Sequence, residues 1–424
     1  MNCLTSNGLK RMKNVPDIRF KGFEDEWISV LFSNIAKISR GLTYSPSCIN
    51  TKGVRVLRSS NIVEGNFCIF DNDIFVNEKS VNIPFAHNKD ILITAANGST
   101  NLVGKHCLIN ISNEEKFVHG GFMLIAKSSE PEFLHYSMFS DWYRRFLRVG
   151  TTGGNGAICN LNKTELAKNK IFVSKYKCEK TKLSNLFVNL DNNIKTLHKK
   201  IASLKQLKSA CLISMFPQQG ETVPRVRFKG FDGEWKKVKL SNCLEISKDI
   251  NSVNVYGKED VLSVSDEMGV MNQIKLLGRS YAGKSVSKYK ILKPHQIVYT
   301  KSPLKDKPYG IIKENCGETG IVSVLYAVFN TKENVDPTYI HYYFEPKFRI
   351  NKYLYPLVNK GAKNTMNISD DTTLDGFVYI PSSEAEQHQI ASYFRNLDIQ
   401  ISEQEKRLEK LKQIKAACLD KMFV

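Results

Sequence analysis

Residues 278–285, GRSYAGKS, match the phosphate-loop pattern G-x-x-x-x-G-K-[ST] from Gly278 to Ser285. In a working loop of this kind the backbone amides cradle phosphates, the lysine (here Lys284) pairs with the terminal ones and the final hydroxyl binds magnesium. That chemistry needs a strand before the loop and a helix after it. The preceding IKLL could form a short strand, but the following VSKYKILKP is β-rich and stops at Pro294. No apolar strand ending in Asp follows to hold a metal. A P-loop NTPase therefore stays as the alternative, and the favoured reading is a basic loop in which Arg279, Tyr281 and Lys284 face a polyanion. Other reactive residue types form no constellation. The ten cysteines include no C-x-x-C pair, so zinc-ribbon and thioredoxin chemistry have no support. His87, His106 and His119 lack metal-ligand spacing and read as structural. No Asn-Pro-Pro-Tyr-like or Asp-Pro-Pro-Tyr-like methyl-transfer loop occurs. The sequence thus assigns no catalytic residue, no metal and no cofactor of its own to this chain.

Charge points to a polyanion. The 424 residues carry a formal +19. Residues 179–216 hold seven Lys/Arg against two Asp/Glu, and 386–423 hold seven against six. These stretches account for +5 and +1, so the remainder holds +19 − 6 = +13. Basic excess in the rest of the chain is the footprint of nucleic-acid binding. The N-terminus, MNCLTSNGLKRMKN, has no apolar signal core. The longest apolar run, 321–329, is too short to cross a membrane and reads as one buried strand. A cytoplasmic chain with reduced thiols is expected.

The elements that must carry these loops are written twice. Residues 15–27 read VPDIRFKGFEDEW and 223–235 read VPRVRFKGFDGEW, nine of thirteen identical at an offset of 208. Residues 179–216 and 386–423 match at sixteen of thirty-eight positions at an offset of 207. In the first of these stretches Leu183, Phe187, Leu190, Ile194, Leu197, Ile201 and Leu204 keep 4–3 spacing, broken at Lys208. In the second, Ile390, Phe394, Leu397, Ile401, Leu408 and Leu411 do the same, broken at Gln404 and Lys415. Sustained heptads predict a coiled coil, and two matching seams in one chain predict an antiparallel pair with pseudo-two-fold symmetry. Phe20, Phe23, Trp27, Phe228, Phe231 and Trp235 read as core anchors.

Between the helices the chain reads as short β-branched strands separated by Gly, Asn, Asp and Ser. Each copy adds a helix (134–148 and 337–351), a Gly-containing loop (150–160 and 359–369) and a last strand. The fold class is α+β: two tandem β-rich domains, each followed by a long helix. The boundaries are 1–178 for the first domain, 179–216 for its helix, 217–385 for the second domain and 386–424 for the C-terminal helix. A shared plan with divergent loops suits two readers of two different sequences. A non-catalytic coiled-coil scaffold is the remaining alternative.

The marker VPxxRFxGFxxEW, the run EQHQIASYFRNLD at 386–398 and the helix ends LKQxKxACLxxMF resemble the specificity subunit of type I restriction–modification enzymes. The likeness spans the chain in order. It departs at the first domain–helix junction, where Ser174 and KYKCEK stand against Pro381 and SSEAEQ. The resemblance implies two target-recognition domains that read the halves of a split double-stranded DNA target, with the helices setting the gap. It implies two modification subunits using S-adenosylmethionine, and restriction subunits using ATP and Mg. Base reading is expected in the loops, at Thr151, Thr152 and Asn155 in the first domain and Lys360, Lys363 and Asn364 in the second. Arg145, Tyr281 and Lys284 join them, and Lys301, Lys305 and Lys307 are expected as phosphate clamps.

Overall fold

The computed structural model describes residues 14–111, 115–152, 159–360 and 366–424. The chain forms two compact units, residues 1–197 with 407–424, and residues 198–406. Two helices of 38 residues each, Lys177–Ser214 and Glu384–Lys421, contribute to both. Each unit therefore contains one β-rich domain, the first part of the helix that follows it and the last part of the other helix.

In the first unit a four-stranded antiparallel sheet runs in the order His106–Leu108, Ile91–Thr94, Met123–Ser128, Ala36–Arg40. Side chains alternate across it, as strand geometry requires. Ile91, Ile93, Leu124 and Ala126 enter a core with Trp27, Phe133 and Phe187, while Leu92, Met123 and Ile125 enter one with Leu57 and Phe117. Coverage of both faces explains why Ile91, Leu92 and Ile93 are consecutive apolar residues. A second sheet, ordered Phe117–His119, Val54–Leu57, Ile74–Val76, Ile49–Asn50, contains a parallel pair.

The second unit repeats the plan. Its main sheet runs Ile311–Glu314, Ile297–Thr300, Tyr326–Thr331, Leu244–Ile246. Three expectations need correction. The apolar run 321–329 is two strands, Gly320–Val322 and Tyr326–Thr331, because a turn closed by Tyr326 N–H donating to Ser323 O sends them to different partners. Each helix expected at 134–148 and 337–351 is a pair, Pro131–Ser137 with Asp141–Gly150 and Pro337–Phe344 with Lys347–Leu354. Pro346 stands at the second break, where it lacks an amide hydrogen and disfavours helix in the residue before it. IKLL lies in a helix, Gln273–Leu277, capped by the Asn272 side chain and ended by Gly278 at φ 77°.

Within each unit the two long helices run antiparallel. In the second unit Lys205 pairs with Glu405, Lys208 with Asp398, and Cys211 Sγ lies 3.4 Å from Tyr393 Oη, so one number rises as the other falls. In the first, Lys415 pairs with Asp191, and Phe423 stacks on Phe187. The seam residues Leu183, Phe187, Leu190, Leu197, Ile201, Ile390, Phe394, Leu397, Ile401 and Leu408 are buried, and Ile194, Leu204 and Leu411 are half-buried. The seam is not filled by the other helix alone. Phe187 also packs on Tyr136 of the first domain, and Phe394 on Tyr342 of the second, so the apolar stripe serves domain and helix together.

Candidate nucleic-acid interface

The repeated marker peptide ties each domain to both helices of its unit. Arg19 donates two hydrogen bonds to Glu179, at 2.6 and 2.9 Å, in the first turn of one helix. Ile18 N–H donates to the Lys421 carbonyl at the end of the other. The second copy repeats the arrangement: Arg227 holds Glu386 at 2.6 and 2.8 Å, and Val226 N–H donates to Ser214 O. The backbone donor fills a carbonyl that a helix C-terminus leaves open, and the charged fork pairs the buried carboxylate in the first turn of the other helix. Trp27 and Trp235 are both buried, edge-on to Phe423 and Phe216. Phe20, Phe23, Phe228 and Phe231 are half-buried around them.

The lysines that break the heptad pattern form a second tie. Lys415 pairs with Asp191 at 2.5 Å while Tyr136 Oη donates to the same carboxylate at 2.8 Å. Lys208 pairs with Asp398 at 2.7 Å while Tyr342 Oη donates to it at 2.8 Å. In each unit one tyrosine from the domain, one aspartate from its own helix and one lysine from the other helix meet at a point. The polar interruption in the seam is therefore where three elements are pinned together.

On this frame the ends of the central strands carry the loops. In the first domain Ala96–Asn97 pairs with Cys159–Leu161, which pairs with Thr151–Thr152. The expected readers Thr151 and Thr152 thus lie on a strand at the sheet end, and Asn155 falls outside the described residues. Arg145 is exposed on Asp141–Gly150. Its neighbour Arg144 is engaged, donating to Asp141 and Asp420. In the second domain Lys360 lies on the strand Asn359–Lys360, paired with Met366–Asn367, and Lys363 and Asn364 fall outside the described residues.

Two of the three expected phosphate clamps are differently employed. Lys307 is buried, with Nζ donating to Asp266 at 2.5 Å and to the Glu345 carbonyl at 2.9 Å, so it is no surface cation. Lys301 is largely covered and pairs with Asp370 at 2.7 Å, which also takes Lys290 at 2.5 Å. Burial raises the Asp370 carboxyl, but hydrogen bonds from these two lysines outweigh it and hold the group below its ordinary value. One carboxylate between two ammonium groups leaves a net positive spot beside the turn 323–325, because Lys290 pairs with Val322 and Lys301 follows the partner of Tyr326. Lys305 is exposed, as expected.

The loop 278–285 is no phosphate cradle. A helix ends at Gly278 where a strand is required, and the next regular element is the strand Lys290–Leu292 where a helix is required. Tyr281 and Lys284 are exposed, and the Arg279 guanidinium lies 4.6 Å over the Tyr281 ring. That is an open basic and aromatic surface, and it removes the nucleotide-hydrolysis alternative. Among the described residues no His/Cys/Asp/Glu group is arranged to hold a metal, and no helix is long and apolar enough to cross a membrane.

Sequence reasoning overlooked the turns that precede the central strands. Phe122, after Gly120 and Gly121, is 65% exposed, and Leu325, after Ser323 and Val324, is 63% exposed. The double glycine before an aromatic was the available signal. Arg58, Ser59 and Asn97 lie close to the first turn: Asn97 Nδ2 donates to Ser59 Oγ at 3.3 Å, and a Cβ on Gly120 would lie 3.9 Å from Arg58 Cγ.

Tandem β-rich domains alternating with two long helices define a duplicated architecture. The same architecture occurs in the S subunit of the type I restriction–modification system from M. genitalium, at TM-score 0.58 and 11% identity, covering 97% of this chain and 99% of that one. A chain from a type I restriction–modification system (TM-score 0.48, 14% identity, 94% and 97% covered) and the HsdS subunit of Thermoanaerobacter tengcongensis (0.42, 15%, 94% and 96%) also align. Comparison with protein families and with curated protein sequences gives no match. The fold of the chain is that of type I S subunits.

Proposed function

We propose that this chain is the DNA-recognition subunit of a type I restriction–modification complex. The observation that carries the proposal is the duplicated frame. Marker clamp and Tyr–Asp–Lys tie recur at equivalent positions in both units, while the loops mounted on them differ and the net charge is +19. The shared fold with an S subunit supports the same reading. Each domain reads one half of a split double-stranded target, through contacts to phosphates and base edges. The helices set the separation of the halves. Methylation of adenine is done by two modification subunits with S-adenosylmethionine, and cleavage by restriction subunits with ATP and Mg. This chain does neither.

Co-expression with modification subunits, followed by methylation mapping of genomic DNA, tests the reading. A bipartite methylated motif is expected, and methyl transfer by the purified chain alone is the contrary outcome. Replacing residues 223–380 by the matching part of a relative should change one half of the motif and leave the other. Inserting one heptad after Leu197 adds about 10 Å of helix. The unspecified gap should lengthen by up to about 3 bp, given a rise of about 3.4 Å per base pair. An unchanged gap in an active complex would exclude the helices as the ruler.

A further inference from the structure

We infer that Phe122 and Leu325 are paired apolar contacts to DNA bases, one for each half of the target; the inference rests on the DNA-recognition function proposed above. Single exposed apolar residues are ordinary on protein surfaces, and three observations set these two apart.

They occupy the same position in two domains that share few residues. In the first domain Thr94 faces Met123 in the sheet, and in the second Thr300 faces Tyr326. Phe122 and Leu325 are the residues immediately before these partners. Neither turn buries its large side chain.

The mounts are rigid. Leu42 N–H donates to His119 O, Gly120 N–H to Leu57 O, and Met123 N–H to Gly120 O. The Phe122 carbonyl accepts from both Ala95 and Ala96. A Cβ on Gly41 would stand 1.9 Å from Gly120 O, and one on Gly121 would stand 3.2 Å from Thr43 Oγ1. The chain is packed as closely as glycine permits, and the next residue, Phe122, is the large side chain left outside. In the second turn Tyr326 N–H donates to Ser323 O at 2.9 Å and Leu325 N–H to Ser323 Oγ at 3.4 Å. A backbone held in place before binding leaves only the side-chain rotamers to be ordered on contact.

Both turns stand among groups suited to DNA. Arg58, Ser59 and Asn97 are close to the first, together with the strand Thr151–Thr152 reached through Cys159–Leu161. Lys290 and Lys301, both paired with Asp370, leave one net positive charge beside the second. Cations draw in the phosphates, polar groups meet base edges, and an apolar tip meets a thymine methyl or a partly unstacked base step.

The test uses the chain assembled with its modification subunits and duplexes bearing the motif that methylation mapping of genomic DNA yields for the wild type. Phe122→Ala should weaken binding roughly tenfold, in line with the loss of one aromatic–base contact. Leu325→Ala should weaken it several-fold, and Phe122→Leu should retain most of the affinity. The Phe122→Ala deficit should vanish on a duplex whose one half is scrambled, and the Leu325→Ala deficit on a duplex whose other half is scrambled. The salt dependence should not change, since no phosphate contact is removed. Wild-type binding by both alanine variants, a deficit indifferent to which half is scrambled, a shallower salt dependence or a lowered melting temperature would each overturn the inference. A wild-type assembly that methylates no motif would instead defeat the DNA-recognition function, and this inference with it.

Discussion

The two units share their ties to the helices and differ in what lies behind them. In the first unit the residue three after the tying tyrosine is Phe139, packed 4.5 Å from the His106 ring, which also meets His135 and Tyr143. In the second that place holds Glu345. Its carboxylate takes Lys208 at 2.6 Å and lies 3.8 Å from His341, and its carbonyl takes Lys307. Lys307 and Lys313 then share Asp266. Behind the shared tie, one unit places an aromatic cluster and the other a half-buried ionic network. The repeat therefore keeps the residues that touch the helices, while the domain interior behind them differs between the units.

Acid should separate the units most. Burial holds His106 and His119 at about 4, and His135 well below its ordinary value. These groups are neutral in the fold and protonate near 6.5 once unfolded. The unfolded chain thus binds more protons, and stability present above pH 6.5 is lost as the pH falls toward 4. Two such shifts amount to about 7 kcal/mol when complete. In the second unit His341 behaves likewise, while the hydrogen bond to Asp336 raises His388, which opposes the loss. As the pH falls to 5, amide protection factors, corrected for the intrinsic exchange rate, should drop in Ile91–Thr94 well before they do in Ile297–Thr300. An equal drop in both strands would break the comparison.

The marker clamps should respond alike. Glu179 and Glu386 have side chains 1% exposed, and Arg19→Ala or Arg227→Ala removes the guanidinium fork from each, while the Ser174 hydroxyl still donates to Glu179. An orphaned buried carboxylate costs about 3–5 kcal/mol. Each variant should destabilise its own unit by a similar amount, read by exchange in the same two strands. A clear difference between the two would show that the repeated peptide has diverged in role.

Much of this frame was readable in the sequence. The offset of 207–208 gave the two-fold plan, and the 4–3 spacing gave both long helices nearly to the residue, because heptad periodicity survives without tertiary information. The partners of the interruptions were not readable. Lys208 and Lys415 break the seam, and only packing brings Asp398 and Asp191 beside them. The loop lysines failed for a related reason. Lys305 and Lys307 look alike in KSPLKDKPYG, yet Asp266, forty-one residues upstream, takes one of them out of solvent. The run 321–329 misled because a turn of Ser323, Val324 and Leu325 has the composition of a strand when its exposure is unknown.

The seam lysines should show the asymmetry directly. Lys208→Met strands two carboxylates, Asp398 and Glu345, whereas Lys415→Met strands Asp191 alone. All three are partly exposed, so the losses are discounted from those of fully buried pairs, to about 2 kcal/mol and about 1 kcal/mol. Each methionine keeps the apolar stem of the lysine over Tyr342 or Tyr136, which isolates the charge. Equal losses would mean that Glu345 is satisfied by other groups when Lys208 is gone.

The smallest effect comes from the tyrosine hydroxyls, and it sharpens the same contrast. Tyr136→Phe and Tyr342→Phe each remove one donor from a carboxylate and leave the ring in place against Phe187 or Phe394. A single hydrogen bond to a partly solvated carboxylate contributes about 1 kcal/mol. Asp191 retains a lysine that serves it alone, while Asp398 shares Lys208 with Glu345. Tyr342→Phe should therefore cost slightly more than Tyr136→Phe, by a few tenths of a kcal/mol. In the Lys208→Met background the Tyr342→Phe loss should grow, since the hydroxyl is then the remaining donor to Asp398. Strict additivity of the two substitutions, measured by exchange in Ile297–Thr300, would show that tyrosine and lysine act on the carboxylate independently and that the three-element tie is not a unit.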